Sequence, residues 1–233
     1  MTTSLAEKPR LVDTGPEHAA LGLAHRVLLP AGAGPHPTVV MLHGLSGDDR
    51  VMWIFASRLP AGWLLVAPRA PHPEPRGGHA WLPRAPHEWP AMDRFAPAAE
   101  RIERLIEALP ATYGADPEAI YLMGFSQGAA AAFATTLRRP DLVRGVAGLV
   151  GFMPSSCEAL ADGRPLAGKP AFLAAGRRDP LVPLGQARAA AEVLRAAGAD
   201  LTYAEYETGH KIGVRGMNDL GAWWSARRAE LGQ

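Results

Sequence analysis

Short apolar runs alternate along the chain with segments in which apolar residues recur every three or four positions. The runs predict strands at 24–29, 38–42, 63–67, 120–123, 143–150, 171–175 and 201–206. Several of these runs are almost continuously apolar, which is typical of strands whose sheet is covered on both faces. The alternation predicts an α/β fold, with a mostly parallel central sheet flanked by helices on both faces.

The segments between the strands have the period of amphipathic helices. Helices are predicted at 97–109, 128–137, 184–197 and 219–231. In the first of them, Ile102, Leu105 and Leu109 form one apolar stripe. The third is followed by Gly198, a residue type that commonly ends a helix.

A Pro-rich segment at about 68–97 follows neither period. It holds eight of the 22 prolines, together with Gly77 and Gly78. A connection of this length is typical of a lid or a linker, but Trp81 and Trp89 favour a segment that packs against the protein. We therefore expect a single domain over residues 1–233, with this loop over the functional site. A linker would leave a first domain of only about 67 residues.

Composition and charge narrow the classes of function. The chain has 233 residues, 48% hydrophobic and 20% charged, and a formal net charge of +1. This balance offers no excess charge for binding nucleic acid or an anionic membrane surface. The single cysteine, Cys157, cannot form an internal disulfide, which favours a reducing compartment. Glu7 and Pro9 interrupt any secretory signal, and no apolar run is long enough to span a membrane. We expect a cytoplasmic protein without integral membrane contact.

The strongest candidate for chemistry is Ser126. An apolar strand runs into Gly124-Phe-Ser-Gln-Gly128, and an alanine-rich helix follows. A turn this sharp strains its central residue and requires small neighbours two positions away on either side. The turn would project the Ser126 hydroxyl at the start of the helix, where the backbone N–H of Gln127 would stabilise an oxyanion. The alternative is a serine that only caps the helix.

A nucleophilic serine needs a base that is itself oriented by a carboxylate. If the acid and then the histidine follow the serine in the chain, His210 is the only histidine of eight that qualifies. Asp179 ends an apolar strand and Gly turn, which places it at the carboxyl edge of the sheet. Helix capping is the alternative role for Asp179, and a surface position is the alternative for His210. Asp200 is a weaker rival because it lies in a turn at the opposite edge.

A second oxyanion donor is expected after the strand at 38–42. The strand is followed by His43-Gly44-Leu45, and the N–H of Leu45 would point into the site. His43 is expected to hold this loop by hydrogen bonding rather than to act as the base.

Neither a metal nor a cofactor is expected. The loop histidines His72, His79 and His87 are separated by seven and eight positions, which suits neither one helix face nor a short zinc loop.

These motifs resemble the phospholipase/carboxylesterase family of α/β hydrolases, which includes bacterial carboxylesterases and acyl-protein thioesterases. The resemblance runs from about residue 37 to the C-terminus. Its residues are His43-Gly44-Leu45, Gly124-Phe-Ser-Gln-Gly128, Phe152-Met-Pro154, Asp179-Pro-Leu-Val-Pro183 and Gly209-His210. The resemblance implies a Ser126-Asp179-His210 triad, an oxyanion hole of the Leu45 and Gln127 N–H groups, and a tryptophan near the substrate, which Trp81 matches. The Trp81 loop departs from the family pattern by its length and its Pro and His content, which affects the pocket rather than the chemistry.

The predicted function is a serine carboxylesterase that acts through an acyl-enzyme. Its partner would be a small-molecule ester or thioester. An acyl-thioesterase or lysophospholipase with the same triad is the alternative within the enzymes, and a non-catalytic binding protein on a hydrolase fold is the alternative of another class. The residues beside the predicted catalytic loops either line an acyl pocket or belong to the core: Met52, Trp81, Trp89, Phe152, Met153, Leu181, Val182 and Ile212. Trp223-Trp224 on the last helix is either an exposed patch for a homodimer or internal packing.

Overall fold

An eight-stranded sheet forms the centre of the protein. The computed structural model describes residues 8–83 and 89–232. The strands are β1 (Arg10–Val12), β2 (His25–Leu28), β3 (His36–Leu42), β4 (Leu64–Pro68), β5 (His72–Pro73), β6 (His79–Ala80), β7 (Ala115–Phe125), β8 (Gly145–Leu149), β9 (Pro170–Gly176) and β10 (Asp200–Tyr206). The order in the sheet is β1-β2-β4-β3-β7-β8-β9-β10, and β5 and β6 form a separate hairpin. Within the eight-stranded sheet, the six neighbouring strands β4, β3, β7, β8, β9 and β10 pair in parallel. The pairs β1–β2 and β2–β4 are antiparallel.

Six α-helices and two short 3₁₀ helices are present in the described part of the chain. The α-helices are α1 (Gly15–Leu21), α2 (Met92–Tyr113), α3 (Gln127–Arg138), α4 (Glu158–Ala161), α5 (Leu184–Ala196) and α6 (Val214–Glu230). The 3₁₀ helices are Val51–Arg58 and Pro140–Leu142. Among the described residues, no helix combines the length and the apolar composition that crossing a bilayer requires.

The sheet separates two hydrophobic clusters. In β3, Val40 and Leu42 belong to the cluster that contains residues of α2, α3 and α5, and Val39 and Met41 belong to the cluster that contains residues of α6. All four side chains are completely buried. Successive side chains of a strand point to opposite faces, so a strand that is apolar throughout must be covered on both sides. The expected mostly parallel sheet between helical layers is confirmed.

The predicted strands and helices are all present, with shifted ends. α2 begins at Met92 rather than at residue 97, because Met92 and Phe95 are buried in the core and extend the apolar face. The sequence pattern did not predict β1, the β5–β6 hairpin, α1 or α4. These elements are between two and seven residues long, too short to show a full period.

The Pro-rich loop is held to the body of the protein on both sides. On the β6 side, the Ser46 N–H donates to the His79 carbonyl oxygen at 2.9 Å, and the His79 N–H donates to that of Gly47 at 2.8 Å. On the α2 side, the Met92 N–H donates to the carbonyl oxygen of Ser155 at 2.9 Å. Residues 84–88, which include His87, lie outside the described residues.

Candidate active site

Ser126 stands at the junction of β7 and α3 in a strained backbone conformation. Its φ is 53° and its ψ is −116°, a region that a residue with a side chain rarely adopts. A side chain on Gly124 would overlap the backbone of Gly128, and one on Gly128 would overlap the carbonyl of Leu42. The close packing of β3, β7 and α3 therefore explains why both positions are glycine.

His210 and Asp179 form a close pair beside Ser126. The Nδ1 of His210 lies 2.7 Å from Oδ2 of Asp179, whose side chain is only 1% exposed. The other carboxylate oxygen, Oδ1, accepts backbone N–H bonds from Leu181 at 2.8 Å and Val182 at 3.0 Å. These two bonds fix the carboxylate, which accepts a hydrogen bond from Nδ1–H of His210, so that in the neutral ring Nε2 is the nitrogen without a proton. A neutral imidazole held in this tautomer is able to act as a general base.

Both Ser126 and His210 line one cavity of about 470 Å³, a size typical of small-molecule sites. Leu45 and Gln127 line the same cavity. Gln127 is the first residue of α3, where a backbone N–H has no partner within the helix. The structure thus places four residues predicted from the sequence, Leu45, Ser126, Gln127 and His210, on the wall of one cavity. The fifth, Asp179, is not on the wall but is hydrogen-bonded to His210.

His43 is a structural histidine. It is completely buried, its Nε2 accepts the N–H of Ala70 at 3.0 Å, and its Nδ1 donates to the carbonyl oxygen of Gly44 at 2.7 Å. Burial lowers the pKa of His43 to about 4, so the ring is neutral near pH 7. The bond with Ala70 connects the loop after β3 to the loop after β4, and the bond with Gly44 lies within the first of these loops.

The side chain of Gln127 holds the Pro-rich loop. Its Oε1 accepts the N–H of Trp81 at 2.8 Å, and its Nε2 donates to the carbonyl oxygen of Leu82 at 2.8 Å. From the sequence, only a backbone role was expected for Gln127. No sequence pattern indicated this clamp, because it depends on where a distant loop folds back.

The predicted pocket residues separate into two groups. Leu181 and Val182 line the cavity, whereas Trp81, Met153 and Ile212 are not part of its wall. The Trp81 side chain is buried, since its indole N–H donates inward to the carbonyl oxygen of His43 at 2.8 Å.

The two remaining predicted pocket residues pack in the core. Met153 is buried in the same cluster as Trp81, and Ile212 packs against the cluster on the α6 face of the sheet. Trp89 and Phe152, also named as candidates, do line the cavity, and their rings meet edge to face at 4.6 Å. Five further wall residues were not predicted from the sequence: Leu82, Pro83, Pro90, Arg94 and Phe125.

Two other sequence features lie away from the cavity. Trp224 is buried against Trp63 and Trp223 against Phe172, so this pair is internal packing and offers no exposed patch for a homodimer. His72 and His79 pair across the β5–β6 hairpin from Ala80 and Pro73. Within residues 8–83 and 89–232, no group of three His, Cys, Asp or Glu side chains is placed to hold a metal ion.

A parallel sheet with a strained serine between strand and helix, and a His–Asp pair on later loops, defines an α/β hydrolase. The chain belongs to the phospholipase/carboxylesterase family, whose model matches residues 24–225. It is similar to acyl-protein thioesterase 1 of Saccharomyces cerevisiae, with 34% identity over 169 residues that span 64% of this chain and 72% of the yeast protein.

Two other proteins bear on the fold and on the activity. A carboxylesterase of Bacillus cereus has the same fold, with a TM-score of 0.81 and 19% identity, over 90% of this chain and 97% of its own. A protein of Oryza sativa subsp. japonica named "Probable inactive carboxylesterase" is 27% identical over 192 residues, 75% of this chain and 78% of the rice protein. The chain is a serine hydrolase of the carboxylesterase and acyl-protein thioesterase class.

Proposed function

We propose that the protein is a carboxylesterase in which Ser126 is the nucleophile, His210 the general base and Asp179 the residue that orients the base. The backbone N–H groups of Leu45 and Gln127 form the oxyanion hole in this proposal. The observation that carries it is the His210–Asp179 pair at 2.7 Å, beside a strained serine on the wall of the same cavity.

The reaction follows from these positions. As the Ser126 Oγ attacks the ester carbonyl, His210 Nε2 takes the hydroxyl proton, and the two N–H groups stabilise the negative oxygen. His210 then gives that proton to the departing alcohol, which leaves an acyl group on Ser126. Water, deprotonated by the same Nε2, attacks the acyl-enzyme and releases the carboxylic acid and the free serine. Asp179 stays ionised and stabilises the imidazolium in both steps.

The substrate is a small-molecule ester, and the proposed location is the cytoplasm. Most of the cavity wall is apolar, which suits an acyl chain. Cys157 is buried and is not in a disulfide, which is compatible with a reducing compartment.

Labelling with a fluorophosphonate tests the nucleophile. We expect the wild-type protein to be labelled once, and Ser126→Ala to lose both the label and nearly all turnover of para-nitrophenyl esters. Ser57→Ala, at an exposed serine outside the cavity, serves as the matched control and should keep both. Persistent labelling of the Ser126→Ala variant would contradict the assignment. A wild-type protein that takes no label would favour a non-catalytic binding protein, the reading to which the rice relative's name draws attention.

The similarity to the yeast acyl-protein thioesterase favours a second candidate, hydrolysis of acyl thioesters. The same triad would cleave both bonds, because the carbonyl is attacked in the same way and only the leaving group differs. Matched oxygen and sulfur esters of the same acyl group distinguish the two. A higher kcat/KM for the oxygen ester would support the carboxylesterase, and the reverse order would favour the thioesterase.

A further inference from the structure

One charged side chain stands in the apolar wall of the cavity. Among the described residues that line it, Arg94 is the only one with a permanent charge. Its neighbours in the wall include Trp89, Pro90 and Phe152. Arg94 lies in the first turn of α2, where its backbone N–H donates to the carboxylate of Asp93 at 2.7 Å.

The guanidinium of Arg94 has no acidic partner in the described part of the chain, although the residue is partly buried. Most other partly buried arginines have acidic partners: Arg26 and Arg69 both bind Asp49, at 2.8 and 2.6 Å. Arg144, which lies outside the cavity, donates instead to the carbonyl oxygen of Glu118 at 3.4 Å. Since removing a charge from water is unfavourable unless it is paired, an arginine on the cavity wall without an acidic partner is informative.

The position in the helix adds to the same effect. The N-terminal turn of an α-helix carries partial positive charge, so a cation there is unfavourable and an anion is favourable. The exposed carboxylate of Asp93 already accepts the Arg94 backbone N–H in this turn, so the positive charge that remains on the cavity wall is the guanidinium of Arg94. A bound anion would satisfy the guanidinium, and no described protein group does.

We propose that Arg94 is a specificity-determining residue and that the preferred substrate is an ester that carries a carboxylate. The inference rests on the proposed esterase function. The guanidinium would bind the carboxylate through two parallel N–H···O bonds while the ester carbonyl lies at Ser126. A monoanion is matched by this single cation, whereas a phosphate dianion would leave a net negative charge in an apolar cavity.

Paired esters of the same length test the proposal. On the acyl side, mono-para-nitrophenyl glutarate is compared with para-nitrophenyl valerate. On the alcohol side, para-carboxyphenyl butyrate is compared with its methyl ester. We expect the wild-type protein to prefer the anionic member of at least one pair, and Arg94→Met to lower that ratio of kcat/KM by at least about tenfold, mainly through KM. Which pair responds tells whether the carboxylate belongs to the acid or to the alcohol.

Three further variants make the test specific to charge. Arg94→Lys keeps the charge but loses the two parallel N–H donors of the guanidinium, so its ratio of kcat/KM for the anionic over the neutral ester should lie between those of wild type and Arg94→Met. Arg94→Glu should reverse the preference towards a cationic choline ester. Arg101→Met removes an exposed arginine two turns further along α2, outside the cavity, and should leave the ratio unchanged. Melting temperatures should not fall in the Arg94 variants, because none of the described residues binds the side chain.

The failure of this proposal is distinct from the failure of the esterase itself. If wild type and Arg94→Met show the same ratio in both pairs while Ser126-dependent turnover persists, Arg94 does not select the substrate. If Arg94→Met lowers the melting temperature and slows all esters equally, the residue is structural. If the wild-type protein hydrolyses none of the esters and none of their sulfur analogues, the proposed function is wrong.

Discussion

Replacing Asp179 with asparagine would change the proton on His210 while keeping the shape of the site. Oδ1 of Asp179 accepts two backbone N–H bonds, so the amide oxygen of asparagine must take that place. An NH₂ group there would face two donors and lose both hydrogen bonds. The NH₂ group is therefore directed at Nδ1 of His210, which lies 2.7 Å from the second oxygen. Since NH₂ only donates, Nδ1 must accept, and the ring proton moves to Nε2.

The expected loss of kcat follows from the change at Nε2 of His210. A protonated Nε2 cannot take the Ser126 proton, and the imidazolium also loses the charge that stabilises it. Turning the amide to restore the tautomer would forfeit two buried hydrogen bonds, at about 1–3 kcal/mol each. The same substitution in a Ser-His-Asp triad lowers kcat on the order of 10⁴-fold, which is about 5 kcal/mol of transition-state stabilisation. We expect a loss of that order for Asp179→Asn.

Steady-state turnover of para-nitrophenyl acetate at pH 7 measures the effect, with circular dichroism to show that the variant is folded. Asp141→Asn is the matched control: this carboxylate is exposed, is paired with Arg139 at 2.7 Å and lies outside the cavity. It should keep wild-type turnover. A kcat for Asp179→Asn within about tenfold of wild type would refute the tautomer argument, since a mere orienting contact would then suffice.

Three further predictions concern the surroundings of the site. Gly128→Ala places a side chain against the backbone of β3 and should lower the free energy of unfolding by about 1–3 kcal/mol, whereas Gly185→Ala in α5 meets open space and should raise it by up to about 1 kcal/mol; equal effects in denaturant melts would contradict the packing. Burial lowers the pKa of His43 from 6.5 to about 4, so between these pH values the ring is neutral in the folded protein and protonated in the unfolded chain. The free energy of unfolding should therefore fall as the pH is lowered from 6.5 to about 4, by up to about 3 kcal/mol. His43→Gln should flatten the pH dependence of unfolding there, and an unchanged slope would contradict it. Trp81→Ala should lower the free energy of unfolding by about 3–5 kcal/mol, and Trp89→Ala should shift the acyl-chain preference. A stable Trp81→Ala variant with altered chain preference, or a Trp89→Ala variant that loses only stability, would contradict the assignment of Trp89 and not Trp81 to the cavity wall.

The sheet and the ends of its strands could be predicted because they follow from local patterns. A strand buried on both faces must be apolar along its whole length, and a strained turn in close contact with two elements admits only glycine at its flanks. Ser126, Asp179 and His210 were each placed after a predicted strand on such grounds. The structure brings the three strand ends to one cavity because parallel strands present their carboxyl ends at the same edge.

The cavity wall could not be predicted in the same way, because it depends on how the Pro-rich loop folds back over the sheet. Trp81 and Trp89 belong to the same loop and are the same residue type, yet one is buried in the core and the other lines the cavity. The difference lies in partners distant in the chain, which hold the Trp81 indole N–H and backbone. Arg94 could not be identified from the sequence, since neither its spacing nor its neighbours showed that α2 begins at the cavity.

The two ends of the loop therefore have separate consequences for activity. Up to Leu82, the loop is joined by hydrogen bonds to Gln127, one of the proposed oxyanion donors, and to His43, two residues before the other donor. Substitutions there should therefore change the turnover of every ester together. From Trp89 to Arg94, loop and helix contribute side chains to the wall without bonding to those donors, so substitutions there should change the order of preference among esters. An apolar replacement of the arginine would convert the wall to one suited to neutral acyl chains without any change to the reaction. Within this family fold, ester selectivity would then follow from where the helix after the loop begins and which residue occupies its first turn.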